Sequence, residues 1–200
     1  MRNRATIIVT AGLSVLLTTP AFAHITGVPH DHSSFMGGFL HPFTGFDHIL
    51  VMVAVGLWAA QLGGKALFAV PLSFVLSMAI GFMLAINGFH LPFVEPVILA
   101  SVVAIGLFAA MAIHLPLMPA IFFVGAFALF HGFAHGSELG NAEAYAYGFG
   151  FSLATALLHA TGIAIGLGAG RFFGQTNGLK ATRLGGILTT IAGVYLAFGA

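Results

Sequence analysis

Residues 41–64 of the chain read HPFTGFDHILVMVAVGLWAAQLGG. Two histidines and an aspartate stand near the start of this stretch, and no further charged residue follows before Lys65. The apolar segment at 44–63 is long enough for a transmembrane helix, which needs about 20 predominantly apolar residues. The stretch therefore predicts a membrane span whose opening turn carries ionisable side chains, although such groups are costly to bury in lipid.

The composition of the whole chain indicates the same class of protein. The 200 residues are 59% hydrophobic and only 6% charged, whereas about 25% of the residues in soluble domains are charged. The formal net charge is +1, so nucleic acids and acidic polymers are poor candidates for partners. The chain has no cysteine, which excludes disulfides and thiolate ligands. We therefore expect an all-α, polytopic protein whose surroundings are the lipid bilayer.

Hydrophobic patterning predicts six transmembrane helices. They are expected at 44–63, 66–88, 94–113, 116–134, 143–170 and 183–199. Together they make up a transmembrane domain at 44–200, which a periplasmic N-terminal segment at 24–43 precedes. Glycines and alanines recur at four-residue spacing in the fifth segment, a pattern that lets helices pack closely in lipid.

The first 23 residues have the three-part pattern of a cleavable secretory signal peptide. Arg2 and Arg4 precede a short apolar core, and Ala21-Phe22-Ala23 forms the cleavage site. The alternative is a retained first span, for which the apolar core is short. Cleavage after Ala23 makes His24 the first residue of the mature chain, outside the cytoplasm.

The basic residues agree with this topology. Four of them fall at connections that it places in the cytoplasm, as the positive-inside rule requires. These residues are Lys65, Arg171, Lys180 and Arg183. Most of the 10 histidines and all 5 carboxylates fall on or near the outer face. We therefore expect a membrane protein whose mature N-terminus and C-terminus both lie outside the cytoplasm, with an outer vestibule that attracts cations.

The first candidate ligand set is HPFTGFDH, residues 41–48. Pro42 is expected to hold His41 in an extended conformation, and Gly45 permits a turn. Asp47 and His48 then fall in the opening turn of the span, and a bent chain could bring His41 back over them. Imidazole and carboxylate together suit a divalent metal ion. The alternative is that Asp47 caps the helix and that the histidines are merely interfacial.

The second candidate set is FHGFAHGSE, residues 130–138. His131, His135 and Glu138 share one face of a continuous helix. Histidines four residues apart can chelate a metal, as in the zinc-protease motif, but here no glutamate follows the first histidine. The alternative is a polar stripe that binds water at the membrane surface.

Three further residues are weaker candidates for metal ligands. His159 lies inside the fifth predicted span, either as a histidine hydrogen-bonded between helices or as a deeper station on a cation path. His24 would offer an α-amine as well as an imidazole. Asn87 lies near His90, at the end of the second predicted span.

The two motifs resemble the signatures of the HupE/UreJ family of nickel permeases, which accompany hydrogenase or urease gene clusters. The resemblance covers nearly the whole chain and includes the signal-like start and the six spans. It implies uptake of Ni²⁺, or sometimes Co²⁺, across the inner membrane, with no permanently bound cofactor and no catalytic residue. It carries six residues over as metal ligands: His41, Asp47, His48, His131, His135 and Glu138.

The residues themselves leave the metal and two other functions open. Nitrogen and oxygen ligands without thiolate suit nickel, cobalt, zinc, iron or manganese. In an intramembrane zinc-dependent hydrolase, His131 and His135 would hold zinc while Asp47 or Glu138 activates water. In a metal-binding accessory protein, the same ligands would bind an ion without moving it.

Overall fold

The computed structural model describes residues 34–137, 139 and 144–198, with the exception of the Asp47 side chain. The predicted signal peptide, His24 and Glu138 lie outside the described residues. Within the described ranges every regular element is a helix, and no strand occurs.

The helices are named here in chain order. They are α1 (Phe35–Leu40), a 3-10 turn (His41–Phe43), α2 (Phe46–Leu62), α3 (Ala66–Ile86), α4 (Val94–Met111), α5 (Leu117–Ser137) and α6 (Ala144–Phe198). The last four, α3 to α6, are long and apolar enough to cross a membrane. A fifth candidate consists of Phe35–Phe43 and His48–Leu62, a bent pair that can count as one span. The protein is therefore a multi-pass membrane protein.

The last two predicted spans lie within α6, and the connection between them differs from the prediction. We expected a loop at 171–182, but this segment is helical except at Gly174, whose φ of 77° and ψ of 161° break the helix. That backbone conformation is essentially restricted to glycine. The chain reverses there, because a Cβ built on Gly178 would lie 2.5 Å from the backbone nitrogen of Gly170. One glycine thus replaces a loop, and the portions 144–173 and 175–198 form a helical hairpin.

The helices approach one another most closely at glycines, as expected for packing in lipid. A Cβ on Gly132 of α5 would collide with the backbone of Met78 on α3. A Cβ on Gly56 of α2 would collide with the backbone carbonyl of His159 on α6. These contacts place the second motif directly against α3 and place the middle of α6 against α2.

The two ends of the bundle are chemically different. At one end, here called the histidine end, the start of α2 meets the end of α5 and the start of α6. At the other end, here called the basic end, Gln61 near the end of α2 donates hydrogen bonds of 2.9 Å to Ala109 O on α4 and to Thr182 Oγ1 on α6. The basic end holds the four cations that were predicted to be cytoplasmic: Lys65, Arg171, Lys180 and Arg183.

Candidate metal centre

Three imidazoles from the two motifs meet at the histidine end of the bundle. Ring nitrogens of His41, His48 and His135 all lie within 4.8 Å of one another. The Nε2 atoms of His48 and His135 are 2.7 Å apart, at hydrogen-bonding distance. All three side chains are buried, with exposed fractions of 7%, 5% and 3% respectively. The two motifs therefore meet in space, and we call these residues the histidine trio.

His41 reaches the trio because the chain bends sharply before α2. Phe35–Phe43 and His48–Leu62 meet at 77°, and this bend brings the rings of His41 and His48 to 5.8 Å. The predicted extended conformation of His41 is wrong, since its φ of −53° and ψ of −48° are helical. Its carbonyl accepts hydrogen bonds from Thr44 N at 3.0 Å and Thr44 Oγ1 at 2.7 Å. These bonds close a 3-10 turn in which Pro42 takes a first-turn position, where proline is tolerated.

Aromatic rings from α6 enclose the trio. Phe151 lies 4.5 Å from the ring of His135 and 5.9 Å from that of His41, and Tyr147 lies 5.9 Å from His41. The imidazoles therefore lie in a packed aromatic pocket, where fewer waters compete with a bound cation.

His131 lies beside the trio but not in it. Its Nε2 is 2.7 Å from Ser101 Oγ on α4, and the Ser101 hydroxyl donates to Ile98 O at 2.6 Å. Because a hydroxyl has only one proton to donate, His131 Nε2 is the donor to Ser101. That nitrogen is then not a metal ligand in this arrangement. The cluster of ring nitrogens within 4.8 Å of one another includes His135 but not His131, although the ring of His131 lies 6.1 Å from that of His48.

The other predicted ligands either lie apart from the trio or have side chains that the structure does not describe. Asp47 lies in the first turn of α2, but its side chain, like Glu138 and His24, is not described. The structure does not bring Asn87 to the trio. Its exposed side chain donates to Met83 O at 2.7 Å and caps the end of α3. His159 is buried on α6, one helical turn beyond Thr155.

Sequence reasoning missed several residues that build this centre. Ser101 could have been found, because a hydroxyl inside an apolar span needs a hydrogen-bond partner there. Phe74 and Phe151 could not, because 21 phenylalanines share the same apolar background. Their position around the imidazoles depends on how α3 and α6 pack.

The trio has the chemistry of a transition-metal site. Imidazole nitrogen suits nickel, cobalt, zinc and copper, whereas magnesium and calcium prefer oxygen. Ligand nitrogens that lie about 2.0–2.1 Å from an ion stand roughly 3 Å from one another. The 2.7 Å between the two Nε2 atoms is close to that separation. A small movement of these two rings would let an ion replace the proton between the Nε2 atoms.

Comparison with known proteins assigns the family. The profile of the HupE / UreJ protein family matches residues 12–196. Protein HupE of Rhizobium leguminosarum bv. viciae is 42% identical over 194 residues, which cover 93% of this chain and 98% of the relative. No solved structure matches the chain. Since the family profile spans most of the sequence and includes both histidine motifs, the chain belongs to the HupE/UreJ family.

Proposed function

We propose that this protein is a secondary permease that moves Ni²⁺, or Co²⁺, from the periplasm to the cytoplasm. The observation that carries the proposal is the meeting of His41, His48 and His135 inside an apolar membrane domain. Ionisable groups are expensive in a membrane and are functional by default. Three nitrogen donors favour a transition metal, and the family resemblance of the motifs narrows the choice to nickel and cobalt. The sequence contains no phosphate-binding glycine motif, so the movement does not draw on ATP bound by this chain.

In the proposed topology the signal peptide is cleaved and six spans cross the inner membrane. The bent pair before α3 counts as one span, α3 to α5 as three, and the two portions of the α6 hairpin as two. The basic end faces the cytoplasm by the positive-inside rule. The histidine trio and both ends of the mature chain are then periplasmic.

In the proposed mechanism the trio captures the ion and exchanges its water for imidazole. Asp47 and Glu138 belong to the same two motifs, and we propose that their carboxylates assist capture by offsetting the charge of the ion. The aromatic pocket limits the access of water, so that the imidazoles remain the preferred ligands. Passage also requires release, so the site must bind the ion only moderately.

The alternative functions make different demands on the same residues. A zinc hydrolase built on His131 and His135 is disfavoured because the group of ring nitrogens within 4.8 Å of one another includes His135 but not His131. An accessory protein that binds metal without transporting it uses the same trio, so only a measurement of flux separates it from a permease.

The decisive experiment measures influx of radiolabelled Ni²⁺ into proteoliposomes that contain the purified protein. Unlabelled Co²⁺, Zn²⁺ and Mn²⁺ serve as competitors. We expect influx with the wild-type protein and with His90→Ala, which removes an exposed histidine, and none with His48→Ala. Competition by Co²⁺ but not by Mn²⁺ supports the proposed substrate class.

Two outcomes would overturn the proposal. Saturable metal binding without influx indicates an accessory binding protein. Stoichiometric, tightly held zinc together with metal-dependent hydrolysis of a peptide or ester indicates the enzyme.

A further inference from the structure

His159 is a buried polar side chain that the proposed trio does not use. It is only 1% exposed, and neither Nδ1 nor Nε2 has a hydrogen-bond partner among the residues that the structure describes. A neutral imidazole has one donor and one acceptor nitrogen, and leaving both unpaired in an apolar interior is unfavourable. An apolar side chain would suit the position better if packing were its only role.

The position of His159 along α6 relates it to the trio. Phe151, which contacts both His135 and His41, marks the level of the trio on this helix. His159 follows Phe151 by eight residues, which corresponds to about 12 Å along the helix axis. Thr155 is fully buried between them and shares their face of the helix. His159 therefore lies deeper in the membrane domain, towards the basic end.

Phe74 on α3 contacts both His131 and His159. Its ring centroid lies 5.7 Å from that of His131 and 4.9 Å from that of His159. His131 precedes His135 by one turn of α5, so it lies about 6 Å deeper than the trio. The trio, His131 and His159 thus form a descending series of imidazoles, and the Phe74 ring contacts the two lower members.

From these positions we propose that His159 is an inner coordination station for a divalent transition-metal cation that leaves the trio. The inference rests on the proposed permease function. One nitrogen of the neutral ring donates its lone pair to the ion while the other nitrogen keeps its proton. The Phe74 ring, edge-on to His159 at 77°, separates this station from the trio and turns aside during passage.

The surroundings of His159 suit transient rather than permanent binding. Thr155 and Met78, which lie towards the trio, place a hydroxyl and a thioether 3.8 Å apart. Both side chains are buried. One imidazole with such weak donors holds an ion less firmly than three imidazoles, and a series of moderate sites favours conduction.

The test separates binding at the trio from passage beyond it. The variants are His159→Leu, which removes the ligand, His159→Gln, which keeps a polar donor and acceptor, and the exposed control His90→Leu. Nickel influx into proteoliposomes, the nickel binding isotherm of the purified protein and its thermal unfolding midpoint are measured for each.

We expect His159→Leu to slow influx by about tenfold or more, in the range seen when groups around a metal site are changed. The high-affinity binding step should remain within about twofold of the wild type, while a second, weaker step disappears. The unfolding midpoint should stay the same or rise, because an unpaired polar group has been removed. His159→Gln should recover part of the influx, and His90→Leu should match the wild type.

Influx through His159→Leu equal to that of the wild type overturns the inference and leaves the permease intact. A lowered unfolding midpoint in both His159 variants, with the weak binding step retained, assigns His159 a structural role instead. Absence of influx with the wild-type protein defeats the proposed function itself, so the two failures are distinguishable.

Discussion

The histidine end and the basic end of the bundle have opposite chemistry. The histidine end gathers three imidazoles in an aromatic pocket. The basic end carries lysine and arginine side chains and encloses a cavity of about 380 Å³, lined by residues that include Gln61, His114, Gln175 and Thr182. Amide and hydroxyl oxygens are weaker ligands than imidazole for nickel or cobalt. The buried cluster of three imidazoles and the side chains that repel cations are thus at opposite ends of the bundle.

The two ends therefore indicate where an ion would be held and where it would be released. An unequal distribution of ligands does not by itself drive net movement of the ion. The direction of transport comes from the ion gradient or from a coupled process. The distribution of ligands does determine which mutations reduce capture and which reduce release.

Removing ligands from the trio should have the largest effect. His48→Ala and His135→Ala each remove one of three nitrogen donors, so we expect nickel affinity to fall by about 100-fold, the upper part of the range for changes around a metal site. The double variant should be little worse than either single variant, because residues that share one ion are not additive. Isothermal titration of the purified proteins measures both quantities.

The matched control is His114→Ala, which removes an exposed histidine at the basic end. Its nickel affinity should equal that of the wild type. If His114→Ala loses as much affinity as His48→Ala, high-affinity binding is not confined to the histidine end and the comparison fails.

Much of this architecture could be predicted from the sequence. The apolar segments and their ends predicted α2 to α5 to within a few residues, because hydrophobic length is the dominant signal in a membrane protein. The reversal between the last two spans was expected, but its form was not, since Lys180 and Arg183 made a helical stretch look like a loop. A single glycine at 174 performs the turn, and twenty-six other glycines gave no reason to select it.

The sequence predicted the meeting of the two motifs better than it predicted the residues packed around them. The predicted topology put both motifs at the same face of the membrane, and the structure brings His48 and His135 from them to hydrogen-bonding distance. The separation of His131 from the trio was not predictable, because it depends on Ser101 from a helix without either motif. Contacts across helices are set by the rotation of each helix about its axis, which an apolar sequence specifies poorly.

Replacing Gly132 with a larger residue should have the next largest effect, because the added side chain would push α5, which carries the second motif, away from α3. A Cβ there would collide with the Met78 backbone, and overpacking typically costs about 1–3 kcal/mol. Gly132→Ala should lower the thermal unfolding midpoint in detergent and weaken nickel binding. Gly168→Ala is the control, since the nearest atoms to its Cβ belong to the Phe172 ring at 4.0 Å. Equal midpoints for the two variants would show that α3 and α5 can move apart freely.

A smaller effect is expected from Ser101→Ala, which leaves Nε2 of His131 without its acceptor. Hydrogen bonds between membrane helices contribute about 0.6 kcal/mol on average, so the loss of stability should be modest. Nickel binding at the trio should change by less than about threefold, because 1.4 kcal/mol corresponds to a factor of ten. Ser73→Ala is the control, since Ser73 donates only within its own helix, to Val70 O. A loss of affinity comparable to that of His135→Ala would instead make His131 a direct ligand.

The smallest effect is expected from Asn87→Ala, a change at the histidine end but outside the trio. The sequence made Asn87 a candidate ligand, whereas its exposed amide donates to Met83 O at the end of α3. Surface substitutions of this kind change stability by about 0.5 kcal/mol or less. Nickel influx and affinity should therefore match those of the wild type, with His90→Ala as the neighbouring control. Influx lost in Asn87→Ala but kept in His90→Ala would extend the capture site to the end of α3. The metal-binding chemistry of the histidine end would then not be confined to the aromatic pocket.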